Sequence, residues 1–260
     1  MVYHHSRRYS VGVHTLPPHY TLTPFPTQTQ SNDSNVKDIF GRIAPVYDEL
    51  NFWLSWGQHG VWKQMTVDWS LAKSGNLCLD LCCGSGDLSF LLAEAVGRKG
   101  KVVGVDFAAP QLEKAVERAR LYYPSFHFDW IEADVLSLPF PSEHFDGATM
   151  GYGLRNVSNI PKSLTELWRV LKPGATAAIL DMHRAINPYV YGLQQWYLAN
   201  VVVPVAHQFN VAAEYSYIAP SLERFPQGKE QVSIAKQVGF HSAVHYSMAG
   251  GTMGVLVLGK

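Results

Sequence analysis

The sequence predicts a doubly wound α/β fold whose mostly parallel sheet ends in an antiparallel hairpin. Three observations predict it. After Gly75, short apolar runs alternate with stretches of helical periodicity. The loops between them are short, as repeated β-α-β units require. The last two β-rich runs, His241 to Tyr246 and Thr252 to Leu258, are joined around a Gly250-Gly251 turn.

Each element has its own signal. Residues 35–69 read as helical but aromatic, with Phe40, Tyr47, Phe52, Trp53, Trp56, Trp62 and Trp69. Leu77 to Leu81 (LCLDL) is a first strand, followed by a turn with Gly84 and Gly86 and a helix over Leu88 to Val96. Lys101 to Val105 is a second strand ending at Asp106. Gln111 to Leu121 follows as an amphipathic helix with Glu113, Lys114, Glu117 and Arg118 on its wet face. Phe126 to Glu132 and Phe145 to Met150 are strands. Pro161 to Leu171 is a helix that starts on proline, where the missing N–H costs little. Lys172-Pro173-Gly174 ends it, Ala175 to Leu180 is another strand, and Glu230 to Val238 is the last helix.

Composition bounds the partners. The 260 residues are 47% hydrophobic and 16% charged, which suits a chain with a substantial core. Lys plus Arg equals Asp plus Glu at 21 each, so no bulk charge pulls the chain toward nucleic acid. Cys78, Cys82 and Cys83 are too close together for a disulfide framework and lack neighbouring zinc ligands, so they read as structural thiols in a reducing compartment.

The N-terminal stretch is of another kind. It carries Arg7, Arg8, repeated Ser and Thr and four prolines, with no acid before Asp33. That composition fits an organelle transit segment or a disordered tail, so residues 1–34 are set apart from a domain at 35–260. Residues 185–213 hold no Asp, Glu, Lys or Arg, but Asn, Gln and Pro interrupt them too often for a membrane span. They read as a helix packed on the sheet, or as one that covers a greasy pocket or rests on a bilayer.

The candidate ligand site is Leu79 to Asp87, at the carboxyl end of the first strand. Gly84 and Gly86 let the backbone turn tightly and approach a ligand closely. Asp106, at the end of the second strand, is placed to accept hydrogen bonds from ribose hydroxyls. A nicotinamide dinucleotide would want a third glycine, where this chain has Ser89, and its pyrophosphate would be repelled by Asp80 and Asp87. The ammonium and sulfonium of S-adenosylmethionine would be attracted by the same charges. Charge sign therefore favours the methyl donor, with Asp134 placed toward the adenine amino group.

Several segments carry a resemblance: Phe40 to Asp48 (FGRIAPVYD), Trp62-Lys63, Leu79 to Leu88, Leu138-Pro139-Phe140, Gly153 to Val157 (GLRNV), Arg169 to Gly174 (RVLKPG) and Tyr215 to Tyr217. Through them the chain resembles the menaquinone/ubiquinone C-methyltransferase family. Gly250 to Gly254 is similar to the plant and cyanobacterial members that act on demethylphylloquinone. The resemblance implies a Rossmann-like class I methyltransferase with a seven-stranded sheet and an N-terminal helical lid. It also implies donor contacts at Ser89, Asp106, Asp134 and Val135, with Gly151 lining the same pocket. With Asp80, Gly84, Ser85, Gly86, Asp87 and Phe107 these make the expected donor site. The family loop usually has Thr where this chain has Ser85, which keeps the hydroxyl. After the fifth strand, Asp181-Met182-His183 departs from the family's acidic residue and aromatic.

The implied reaction is C-methylation of a reduced lipophilic naphthoquinone, in a chloroplast, with peripheral contact to thylakoid or envelope membrane. A ring carbon becomes nucleophilic once the quinone is reduced and a phenolic proton leaves. Arg155 is expected to stabilise the phenolate and Asn156 to orient its oxygen; His183, His207 and Tyr217 are candidate bases. Arg155 has a plainer alternative, a salt bridge that fixes its loop. Another prenylated quinol or phenolic lipid as acceptor, and a non-catalytic protein that binds donor or quinone, remain as alternatives.

Overall fold

The computed structural model describes residues 58–208 and 217–260. Residues 1–34, the FGRIAPVYD motif and most of the expected lid lie outside the described residues, as does Tyr215.

In chain order the elements are α1 (Gln58–Trp69), β1 (Leu77–Leu81), α2 (Asp87–Val96), β2 (Lys101–Asp106), α3 (Ala109–Tyr122), β3 (Phe128–Glu132) and β4 (Phe145–Gly151). After a 3₁₀ turn at Leu154–Asn156 come α4 (Ile160–Val170), β5 (Leu171–Met182) and α5 (Pro188–Tyr197). That helix continues through a π turn (Leu198–Val202) into α6 (Val203–Gln208). Then follow α7 (Ile218–Arg224), α8 (Gly228–Val238), β6 (Ser242–Met248) and β7 (Met253–Gly259).

The seven strands run in the order β3-β2-β1-β4-β5-β7-β6. The first five are parallel, and β7 inserts antiparallel between β5 and β6, as the hairpin signal predicted. Strand order reverses between β1 and β4, which pair Leu81 with Met150, so the carboxyl ends of these two strands open the ligand cleft. Leu79 and Leu81 face a core shared with α4 and α8. Cys78 faces the core shared with α1 to α3. A strand covered on both sides shows apolar runs rather than alternation, which is why β1 and β2 were legible.

Two differences are informative. Strand β5 begins at Leu171, earlier than Ala175, because fully buried Leu171 pairs with Phe145 before the register shifts. Gly174, at φ 79°, absorbs that irregularity, so Pro173-Gly174 bends a strand instead of preceding one. Helix α5 is only half packed. Gln194 and Leu198 are buried, while Ile186, Tyr189, Leu193 and Trp196 are 82%, 89%, 64% and 56% exposed. Among the described residues no helix is long and apolar enough to cross a membrane.

Candidate active site

The donor loop is built by backbone that only a few residues tolerate. Beyond β1 the chain passes through Cys82, Gly84 and Gly86, all at positive φ, into α2. Tyr152, just beyond β4, is also left-handed at φ 59°. Two non-glycine residues in this conformation, at the ends of neighbouring strands, store roughly 1–3 kcal/mol each, and such strain collects at ligand sites. At Gly86 a Cβ would come within 2.9 Å of the Phe90 ring and 3.0 Å of Trp130. At Gly151 it would come within 2.7 Å of Leu88.

Carboxylates rim the cleft. Asp106 accepts the Gly84 amide with one oxygen and the Ala108 amide with the other, both at 2.9 Å, so it fastens the end of β2 to the loop after β1. Asp80 is fully buried and accepts hydrogen bonds from Ser89 Oγ at 2.6 Å and Thr149 Oγ1 at 2.9 Å. Burial outweighs those bonds and raises its carboxyl to about 7. Exposed Asp134 accepts the Leu136 amide at 2.8 Å, beside buried Val135 and half-buried Phe107. Burial, then Asp106, Asp80, Asp181 and Asp134, push the Cys82 thiol well above its ordinary range. Asp80, Asp106 and Asp181 lie at the carboxyl ends of β1, β2 and β5, and Asp134 follows β3. Carboxylates so placed favour a cationic ligand over a pyrophosphate.

Two donor-site expectations change. Asp87 is not a bare charge: it pairs with Lys63 of α1 at 2.5 Å and Arg118 of α3 at 2.8 Å. Burial pushes its carboxyl up, but the two cations outweigh it and hold the group at about 2. Ser89 is wholly buried with its hydroxyl on Asp80, so it shapes the site through that carboxylate. Arg118, expected on the wet face of α3, turns inward to donate to the Ser85 carbonyl and hydroxyl, each at 2.9 Å.

Arg155 lies in the 3₁₀ turn after β4. Its Nη1 forms a buried ion pair with Asp181 and donates to the Tyr152 carbonyl at 2.9 Å. This is the salt bridge offered above as the plainer alternative. Asn156 Nδ2 donates to the same carbonyl at 3.2 Å. Helix α7, headed by Tyr217, packs against this turn, and Arg224 donates to the Tyr217 hydroxyl at 2.9 Å.

His183 does not join them. It shares the sheet face of Asp181 and is 4% exposed, beside Phe225. Its Nδ1 lies 3.1 Å from the Asp181 carbonyl, and its Nε2 lies 2.8 Å from Gln231 Nε2 and 3.1 Å from His245 Nε2. Both nitrogens have partners within the protein. His207, at the end of α6, is exposed.

Lys63, Thr149 and Asp181 were not among the expected site residues; Trp62-Lys63 left a signal as a motif without a role, and Asp181-Met182-His183 as a departure from the family pattern. Among the described residues no cluster of His, Cys, Asp and Glu is arranged to hold a metal ion.

Comparison with known proteins places this geometry. A model described as the ubiE/COQ5 methyltransferase family matches residues 28–258. A protein of Trichormus variabilis named 2-phytyl-1,4-naphtoquinone methyltransferase is 60% identical over 227 residues, 87% of this chain and 99% of the relative. An Arabidopsis thaliana protein named 2-phytyl-1,4-beta-naphthoquinone methyltransferase, chloroplastic, is 48% identical over 229 residues, 87% of each chain. Among solved structures, a SAM-dependent methyltransferase from Aquifex aeolicus aligns with a TM-score of 0.54 at 21% identity, covering 72% of this chain and 84% of that one. The [4+2]-cyclase SpnF aligns at 0.55 and 17% identity, covering 90% and 96%. The fold alone therefore does not choose the chemistry.

Proposed function

The chain belongs to the ubiE/COQ5 methyltransferase family, and from that premise we propose that it transfers the methyl group of S-adenosylmethionine to a ring carbon of reduced 2-phytyl-1,4-naphthoquinone. The acceptor follows from the relatives' names and their near full-length match. The observation that supports the donor is the placement of Asp80, Asp106 and Asp134 at or just beyond the carboxyl ends of the neighbouring strands β1, β2 and β3, where a cation is favoured.

The donor supplies a methyl group already activated by its positive sulfur. The protein's share is binding, orientation and exclusion of water. In this reading Asp106 accepts hydrogen bonds from the ribose hydroxyls. Gly86 and Gly151 let the backbone around the cleft pack directly on Phe90, Trp130 and Leu88, Asp80 supplies negative charge beneath it once the donor is bound, and Asp134 meets the adenine edge. Reduction makes the acceptor a quinol. Loss of a phenolic proton sends electron density to the ring carbon, which bonds to the methyl carbon as the methyl–sulfur bond breaks. The ring proton then leaves and aromaticity returns. Arg155 holds the Tyr152–Asn156 turn and brings positive charge toward the phenolate; Asn156 orients that oxygen, and Tyr217 is the proposed base.

The phytyl chain belongs in lipid, and the apolar stripe of α5 is our candidate for peripheral membrane contact. The acid-free N-terminal stretch and the chloroplastic name of the Arabidopsis relative support a plastid location.

The deciding test is transfer of radiolabelled methyl to 2-phytyl-1,4-naphthoquinone by the full chain, with and without dithionite. Label in the quinone only under reduction is expected. Donor binding without transfer would overturn the acceptor, and absence of donor binding would overturn the donor. Co-sedimentation with liposomes, lost on Leu193→Glu, tests the stripe.

A further inference from the structure

The Trp62-Lys63 motif has no part in the chemistry above, yet Lys63 is among the few charged residues sealed into the described structure. Its side chain is 10% exposed, and its ammonium stands 2.5 Å from an Asp87 oxygen. The other Asp87 oxygen takes Arg118 at 2.8 Å. Arg118 spends the same Nη1 on the Ser85 carbonyl and hydroxyl and lays its guanidinium over the Phe90 ring, 5.1 Å from the centroid. Lysine on α1, aspartate at the start of α2 and arginine on α3 therefore meet directly behind the loop Gly84-Ser85-Gly86.

We propose that Lys63 is a positioning residue for the methyl donor, acting through Asp87 and Arg118 to hold the Ser85–Gly86 backbone in its donor-binding conformation. The inference rests on the donor reading above.

Asp87 takes two cations, and Arg118 serves both the carboxylate and Ser85. With Lys63 in place the carboxylate is satisfied from one side, and Arg118 can bridge it to the loop. Without Lys63 a largely buried carboxylate depends on Arg118 alone, and that attraction competes with the Ser85 bonds. Ser85 and Gly86 are also the residues whose backbone must stay put. Cys82, at the start of this loop, is left-handed without being glycine, so a loop released from Arg118 has a strained conformation to leave. Lys63 reaches the loop from α1, so it also ties the helix just before β1 to the donor site.

The test is titration of the full-length protein with S-adenosylhomocysteine, alongside steady-state kinetics. Lys63→Met should weaken that binding about tenfold, the loss of one charge-assisted hydrogen bond. It should raise KM for the donor in parallel, with kcat at saturating donor and KM for the quinol within about twofold of wild type on that account. Lys63→Arg should restore most of the affinity. Lys63→Met with Asp87→Asn removes both the cation and the stranded charge, frees Arg118 for Ser85, and should bind within about threefold of wild type. Wild-type affinity in Lys63→Met overturns the proposal, as does a double variant that binds no better than the single one. If Lys63→Met does not fold, the Arg and double variants carry the same decision. Failure of the wild-type protein to bind would instead overturn the donor reading itself.

Discussion

Asp181 holds Arg155 twice: its carboxylate pairs with the guanidinium and also accepts the Arg155 backbone amide at 3.0 Å. The side chains are 8% and 1% exposed, so the pair is sealed between the end of β5 and the turn after β4. Removing one partner of a buried pair strands the other, at a cost of about 3–5 kcal/mol. Arg155→Met should therefore lower the urea midpoint clearly, besides reducing turnover. A wild-type midpoint with reduced turnover would mean that Arg155 acts on substrate and contributes little to holding the turn.

Asp80 leads to a pH prediction. Burial raises its folded-state carboxyl from 3.8 to about 7. The folded protein then binds a proton that the unfolded chain has lost, so this group favours folding below the unfolded value, and that contribution fades as pH rises to about 7. A cationic ligand overhead favours the ionised form. Donor binding below pH about 7 should therefore release protons, and affinity should rise with pH through that range. Calorimetry in buffers of different ionisation enthalpy reads the proton directly. Asp80→Asn should abolish the effect, and a binding enthalpy independent of buffer would sink the idea.

Strands β1, β2 and β4 were legible in the sequence because a parallel sheet buried on both faces writes continuous apolar runs. The hairpin was legible because Gly250-Gly251 punctuates it. Asp106 was legible from its place at the end of the strand after the glycine loop. The surroundings of His183 were not legible: it follows β5 on the face of Asp181, and its ring meets Gln231 of α8 and His245 of β6, contacts distant in sequence. Lys63 and Arg118 escaped notice because ion pairs between helices distant in sequence leave no period to read. The exposed stripe of α5 was left undecided for a related reason: periodicity shows that a helix has two faces, not what covers them.

The His183–His245 contact should make the protein labile to mild acid. Burial, and then His183, lower His245 to about 4, and burial also lowers His183. Facing groups are few: the Asp181 carboxylate opposes the shift at His183, Arg155 adds to it, and Gln231 supplies a neutral bond. The unfolded chain takes up protons below its ordinary histidine value of 6.5, while the folded one resists, so stability is lost as pH falls from there toward about 4. His245→Gln should melt at a temperature less sensitive to the change from neutral to mildly acid buffer. Equal acid sensitivity in the variant and the wild type would remove this pair from the account.

Asp106 gives the sharpest separation of binding from folding. Its two oxygens hold the amides of Gly84 and Ala108 at 2.9 Å, so the carboxylate organises the loop as well as offering lone pairs to a ligand. In Asp106→Asn the side-chain amide cannot accept where it points at an N–H, and one of the two anchors is lost. In Asp106→Ala both go. Donor affinity should fall in that order, by about tenfold and then about a hundredfold, on the scale of one and two hydrogen bonds to a charged group. Because Asp106 sits at the end of a strand whose core is formed by Val102, Val103 and Val105, both variants should keep the secondary structure and a cooperative melt. Titration with S-adenosylhomocysteine checks the order. Equal affinities in wild type and Asp106→Ala would show that the ligand does not rest on this carboxylate.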